Sequence, residues 1–130
     1  MFHKYFSGTQ KKAFLALAHK MVHADGKLAD EERTMLTGMC REMNFDPCMV
    51  MKGFDLPQLL SQFDTRKSQV YLLLELIELE YADSAYSHQE NELLGEILEN
   101  FGFSQNQLLE MENWVFRHKE LTAELDKFWK

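Results

Sequence analysis

The chain carries one short stretch twice, ADGKLADEE at 24–32 and ADSAYSHQE at 82–90. The copies lie 58 positions apart, so that Asp25 matches Asp83. At the same offset, apolar residues meet apolar residues at nearly every position with helical spacing. We interpret the match as an internal duplication in which each copy forms a helix, a short loop and a second helix.

Capping residues predict where the helices of the second copy begin and end. Thr65 precedes an apolar-periodic segment and predicts a helix over 66–81. Ser87 and Glu90 form an S-x-x-E capping box at the start of the next helix. Gly102 supplies the left-handed residue that ends it near Asn100.

Capping residues and prolines also predict the helices of the first copy and of the segments beside it. Thr9 predicts the start of a helix that ends near Ala24, and a second helix covers about 30–43. Pro47 and Pro57 predict short helices with proline at the first helical position.

A last helical region follows Ser104, which predicts its N-cap. Its apolar phase changes around His118-Lys119, where we expect a break or kink. The apolar positions move from Leu108, Met111 and Val115 to Leu121, Leu125 and Phe128.

These signals predict one all-α domain over 1–130, an orthogonal bundle of about six to eight helices with a two-fold helix-loop-helix repeat. The expected parts are repeat 1 at about 10–45, a linker with short helices at 46–64, repeat 2 at about 65–103 and a C-terminal helical segment at 104–130.

The whole chain has a formal net charge of −7, and negative charge dominates its second half. Residues 70–116 contain no Lys or Arg, and they contain Glu75, Glu78, Glu80, Asp83, Glu90, Glu92, Glu96, Glu99, Glu110 and Glu112. Such a surface repels phosphate backbones, which argues against a nucleic-acid partner. A cation or a basic protein surface fits better, and a merely solvated acidic face is the alternative.

The sequence predicts a cytoplasmic, non-enzymatic protein. No nucleophile motif, P-loop or dinucleotide fingerprint occurs. The two cysteines, Cys40 and Cys48, form no CxxC pattern and fit a reducing compartment. Neither a secretion signal nor a transmembrane segment is expected, because charges interrupt the apolar runs.

The doubled stretch resembles a motif of the TerB-like (tellurite-resistance B) family, A-D-G-x-[IL]-x-x-x-E, which recurs in that family's second half. The resemblance covers about 13–109. It implies an all-α bundle whose two acidic loops lie close together, a divalent-metal site and a role in resistance to tellurite and other stresses. The fold also occurs in a DnaJ-type co-chaperone, and nothing in the resemblance implies catalysis.

Four duplicated carboxylates are the candidate metal ligands, namely Asp25, Glu32, Asp83 and Glu90. If the two copies face each other, these groups converge and supply the oxygens that Ca²⁺ or Mg²⁺ prefers. The alternative is structural, with the glutamates in capping boxes and the aspartates in turns.

Two further sets of residues could bind softer metal ions, and core packing is the alternative for each. His19 and His23 are four residues apart, a spacing that can hold zinc. Met35, Met39 and Met43 form a stripe that can hold Cu(I). The repeat pairs most of these positions with apolar residues, which favours core packing for both sets.

Aromatic residues at both ends suggest a further role. The C-terminal set is Trp114, Phe116, Phe128 and Trp129, and the N-terminal set is Phe2, Tyr5 and Phe6. We expect the C-terminal set to close the core, with an exposed docking patch as the alternative. Two hypotheses follow, a divalent-cation-binding stress-response domain and a metal-free protein-interaction module of co-chaperone or scaffold type.

Overall fold

The computed structural model describes residues 2–22, 34, 37–38, 40–42, 55–80 and 88–129, and within them it is helical without a strand. A 3-10 turn at His3–Tyr5 comes first. The α-helices with defined bounds are α1 Gly8–Val22, α2 Leu56–Leu60, α3 Arg66–Glu80, α4 His88–Phe101, α5 Gln105–Glu124 and α6 Asp126–Trp129. The predicted all-α class is confirmed for these residues.

Helix α3 lies at the centre of the bundle. It contacts α1, α4, α5 and the 3-10 turn. After the buried Ser68 in its first turn, its buried side chains occur at nearly consecutive positions rather than every third or fourth residue, and they are Leu72, Leu73, Leu74, Glu75, Leu76, Ile77 and Leu79. A helix that is apolar on almost every side must be covered on every side, which explains why the other elements surround it.

Helix α1 supplies the second large part of the core. Every side chain from Ala13 to Ala18 is buried, and so is Met21. Helix α1 packs against α2, α3 and α4. Phe63, between α2 and α3, completes this region by an edge contact with Phe6, whose ring centroid lies 5.4 Å away.

Local hydrogen bonds confirm the predicted start and end signals of the second copy. The Thr65 hydroxyl accepts a hydrogen bond from the Ser68 amide at 3.1 Å and thereby caps α3. Gly102 has a φ of 78°, the left-handed conformation expected of it. The Phe103 amide then donates to the Leu98 carbonyl at 2.9 Å, which closes the end of α4.

The predicted starts of α2 and α5 are confirmed as well. Asp55 and Gln58 form a capping box before α2, with Pro57 in the first turn. Ser104 caps α5 in the same way, because its hydroxyl accepts from the Gln107 amide at 3.1 Å.

Two boundary predictions were wrong. Helix α1 begins at Gly8 and is capped by Ser7 rather than Thr9, since Ser7 has a glutamine three residues on, Gln10, that completes a capping box. The break expected around His118-Lys119 is absent, because α5 continues through both residues and ends at Glu124, while a kink there stays a prediction. The apolar phase changes there because the later apolar residues face solvent instead of the core.

The internal repeat and the orthogonal arrangement stay predictions. The described residues within the predicted helix at 30–43 are helical. Ala24, Pro47 and Ser87 lie outside the described residues, and so does the loop at 82–87. In the part of the chain that the structure describes, no helix combines the length and apolar character needed to cross a membrane.

Two glycines predict opposite effects of the same substitution. Gly102→Ala should lower the free energy of unfolding by about 1–2 kcal/mol, because a Cβ disfavours the left-handed conformation. Gly95→Ala, inside α4, should raise it by about 0.5–1 kcal/mol, because alanine favours helix over glycine. At both positions a Cβ would meet no atom within 4 Å, so crowding does not contribute. Chemical denaturation measures the free energy of unfolding of both variants. A change of the same sign in both would contradict the left-handed conformation of Gly102 or the helical conformation of Gly95.

Candidate functional site

An apolar groove of about 470 Å³ lies between α3 and α5. Its lining residues are Arg66, Val70, Leu74, Phe103, Gln107, Glu110, Met111 and Trp114. Helix α3 contributes the first three of them at a spacing of four residues, which puts them on one side of that helix. Helix α5 contributes the last four, so the two helices form the walls.

Arg66 closes one end of the groove. Its guanidinium carbon lies 3.5 Å from the centroid of the Phe103 ring. The same guanidinium donates a hydrogen bond to the Phe101 carbonyl at 2.8 Å. A cation held over an aromatic face and bound to a helix C-terminus is favourable on both counts, so Arg66 joins the start of α3 to the end of α4.

Trp114 forms the other end of the groove. Its ring stacks on His118, with centroids 5.3 Å apart and planes 19° from parallel. Phe2 touches Trp114 from the N-terminal segment at 5.7 Å and stacks on Tyr71 at 4.7 Å. The rings of Tyr71 and Tyr5 also stack, at 5.1 Å. This row of aromatic rings holds Trp114 against the side of α3.

A buried carboxylate holds the N-terminal segment in place. Glu75 is fully buried, and its Oε1 accepts a hydrogen bond from the backbone amide of Phe2. A buried carboxyl oxygen needs a hydrogen-bond donor, so the bond supplies one to Oε1 of Glu75 and places Phe2 over α3. The position of Trp114 therefore depends partly on Glu75.

Glu78 lies one turn further along α3 in a half-buried position. Burial raises the pKa of Glu78, and the nearby Glu75 carboxylate raises it further. The charges of His118 and Lys119 on α5 act in the opposite direction. Glu78 therefore lies where α3 faces the middle of α5.

Acidic side chains are exposed on α4 and α5. Glu110 lies on the groove wall and is exposed. On α4, Glu92, Glu96 and Glu99 are exposed and follow one another at spacings of four and three, which places them on one face. The expected acidic surface of 70–116 is thus present on these two helices.

Helix α5, Leu125 and α6 carry a row of side chains at helical spacing that is half-buried at Met111 and exposed from Leu121 onwards. This row, called the C-terminal stripe below, consists of Met111, Trp114, His118, Leu121, Leu125 and Phe128, which are all apolar except His118. Every residue from Glu120 to Trp129 is exposed, and Phe128 is 81% exposed. The expectation that the C-terminal aromatics close the core was wrong, because Trp114, Phe116, Phe128 and Trp129 are all exposed. Leu108 and Val115 are the buried residues of α5 instead.

The side chains of the predicted metal ligands lie outside the part of the chain that the structure describes. Asp25, Glu32 and Asp83 lie outside it. Glu90 lies in the first turn of α4, and its side chain is outside the description. Among the His, Cys, Asp and Glu residues that are described, no three form a group able to hold a metal ion.

The structure describes only part of the candidate zinc and copper sites. His19 on α1 is half-buried and Cys40 is buried, as packing predicts. His23, Cys48 and the methionines Met35, Met39 and Met43 lie outside the described residues, so zinc and copper binding there stay hypotheses.

The sequence did not identify the groove. Its walls come from segments about forty residues apart, and Val70, Leu74 and Met111 look like ordinary core positions. Trp114 was the one lining residue that the aromatic content had singled out. The chain matches no protein-family model, no curated protein and no solved structure. The TerB-like resemblance therefore stays a prediction.

The raised pKa of Glu78 predicts a pH effect on stability. A carboxyl with a raised pKa in the folded state contributes stability below its ordinary value of 4.5, and that stability is lost as the pH rises through the raised pKa. Glu78→Gln cannot ionise, so its melting temperature should fall less than that of the wild type between pH 4.5 and 7. Solvent screening makes the effect modest.

Thermal melts at several pH values test this expectation. Glu110→Gln removes the same charge from the exposed groove wall and is the matched control. Equal pH slopes for the wild type and Glu78→Gln would contradict the expectation.

Proposed function

We propose that the chain is a non-enzymatic protein-interaction domain that binds an apolar helical segment of a partner in the groove between α3 and α5. The observation that carries this proposal is an open, mostly apolar groove bounded by two helices. Grooves of this kind take the apolar face of an amphipathic helix, whose side chains at i, i+3, i+4 and i+7 enter as anchors.

The lining residues suit such an occupant. Met111 has a flexible, polarisable side chain that adapts to differently shaped apolar partners. Trp114 is 37% exposed and offers a large apolar ring surface at the groove end. Tryptophan is enriched among the residues that carry most of the binding energy of an interface, so Trp114 is the expected hot spot.

Charge favours a basic side chain beside the groove wall. Glu110 is the acidic residue among the groove lining, and it is exposed. Arg66 is held by Phe101 and Phe103 at the far end. A Lys or Arg next to the apolar face of a bound helix can therefore pair with Glu110 and orient that helix.

A designed amphipathic peptide of leucine and lysine tests the groove. It should quench or shift the fluorescence of Trp114 in a Trp129→Phe background, which removes the exposed second tryptophan. Met111→Glu should weaken binding about tenfold or more, because it places a charge in the apolar floor. Leu109→Glu lies on the same helix outside the groove and should bind like the parent.

Two peptide controls distinguish binding in the groove from non-specific hydrophobic or electrostatic binding. A leucine–lysine peptide of scrambled order has the same composition without an apolar face, and a leucine–glutamate analogue has the face with reversed charge. Equal binding of all three peptides, or equal affinity of Met111→Glu and Leu109→Glu, would overturn the proposal.

We also propose a second candidate function, divalent-cation binding in a stress response, on the basis of the duplicated sequence alone. Asp25 with Asp83 and Glu32 with Glu90 recur at one offset inside a stretch that resembles the TerB-like motif. Duplicated acidic loops supply oxygen ligands of the kind that Ca²⁺ and Mg²⁺ need.

Calorimetric titration of Ca²⁺, Mg²⁺ and Mn²⁺ into chelator-treated protein tests the cation proposal. Binding should disappear in Asp25→Asn/Asp83→Asn and persist in Glu96→Gln/Glu99→Gln, which removes two exposed charges from α4. Absence of heat and of any melting-temperature shift at millimolar metal would reject cation binding and leave the groove proposal unaffected.

A further inference from the structure

We propose that the C-terminal stripe pairs with the same stripe of a second copy in an antiparallel, two-fold symmetric dimer. The inference rests on the proposed function, because Met111 and Trp114 belong to both the groove and the stripe. It names the occupant, since the apolar helical segment at the Trp114 end of the groove is then the exposed end of α5 and α6 from the second copy.

The spacing of the stripe is the first argument. Its members follow one another at intervals of three, four, three, four and three residues, the pattern of a helix that packs lengthwise against another helix. This pattern is the same in both directions about a point between Lys119 and Glu120. In an antiparallel pair around that point, Met111 faces Phe128, Trp114 faces Leu125, and His118 faces Leu121.

The backbone supports the continuation of the stripe beyond α5. Leu125, between α5 and α6, has φ −59° and ψ −28°, which is right-handed helical geometry. The Phe128 amide donates to the Leu125 carbonyl at 2.9 Å. The chain thus keeps winding in the same sense, and Phe128 extends the row that Leu121 and Leu125 begin.

Exposure identifies the stripe as an interface rather than part of the core. Leu121 is 62% exposed, Leu125 45% and Phe128 81%. Adjacent apolar side chains left in water at these fractions are typical of a surface that another protein covers. The upstream members, Met111 and His118, are half-buried, so the stripe is continuous with the folded domain.

Charge complementarity favours a second copy in this register. Arg117 and Glu124 are both exposed and flank the same side of the stripe, one on each side of the symmetry point. In the antiparallel pair, Arg117 of one copy lies beside Glu124 of the other, and the symmetry produces this pair twice. An isologous contact of this kind closes on itself and stops at two copies.

Sedimentation equilibrium tests the pairing on the intact chain. The wild type should have twice its 15.3 kDa chain mass at micromolar concentration. Leu121→Asp should weaken the dimer about 100-fold, because symmetry places the charge in the apolar seam twice. Leu109→Asp is the matched control, since Leu109 is 58% exposed on another face of α5 and should leave the dimer intact.

A charge exchange tests the register. Arg117→Glu and Glu124→Arg should each weaken the dimer, because each places like charges together twice. The double variant R117E/E124R should restore the wild-type dimer, since it recreates both pairs with their signs reversed. Arg117, Glu124, Leu121 and Leu109 are all exposed in the wild type. Circular dichroism verifies that each variant keeps its helix content. A double variant weaker than both single variants would overturn the antiparallel register.

The outcomes also separate this inference from the proposed function. A monomer at all concentrations that binds the leucine–lysine peptide overturns the dimer and leaves the groove function standing. A monomer that binds no peptide overturns both. A dimer that Leu121→Asp and Leu109→Asp weaken equally overturns the stripe as the interface.

Discussion

Burial of helix α3 is the constraint on which the other elements depend, because a helix with apolar side chains on nearly every side is stable only when each side is covered. Helices α1, α4 and α5 and the N-terminal 3-10 turn all contact it. The groove lies where the side of α3 that carries Val70 and Leu74 faces α5. The candidate site is therefore a direct consequence of how the central helix is covered.

Glu75 is the polar exception in that core, and it connects the fold to the site. A buried carboxylate needs a hydrogen-bond donor, and the Phe2 amide provides one. The bond brings the Phe2 ring onto Tyr71 and beside Trp114. The buried Glu75 side chain thus helps to position the N-terminal segment and the tryptophan at the groove end.

Helix α5 serves two purposes along its length. Leu108 and Val115 in its first half are buried and hold it against the domain. Its second half, together with α6, presents Leu121 and Phe128 to solvent. One face of α5 therefore stabilises the fold at its first half, and a different apolar face is exposed to solvent at its second half.

The sequence by itself determined the features that depend on neighbouring residues. The caps at Thr65 and Ser104 and the helix end at Gly102 were predictable, because their hydrogen bonds and backbone angles involve residues only a few positions apart. Only the tertiary structure decided which apolar residues find a neighbour. The groove brings together residues as distant as Arg66 and Trp114. Phe128 has the apolar character of a core residue, yet its side chain is 81% exposed. Local pattern reports that a side chain is apolar, whereas its burial depends on the packing of helices that are far apart in the chain.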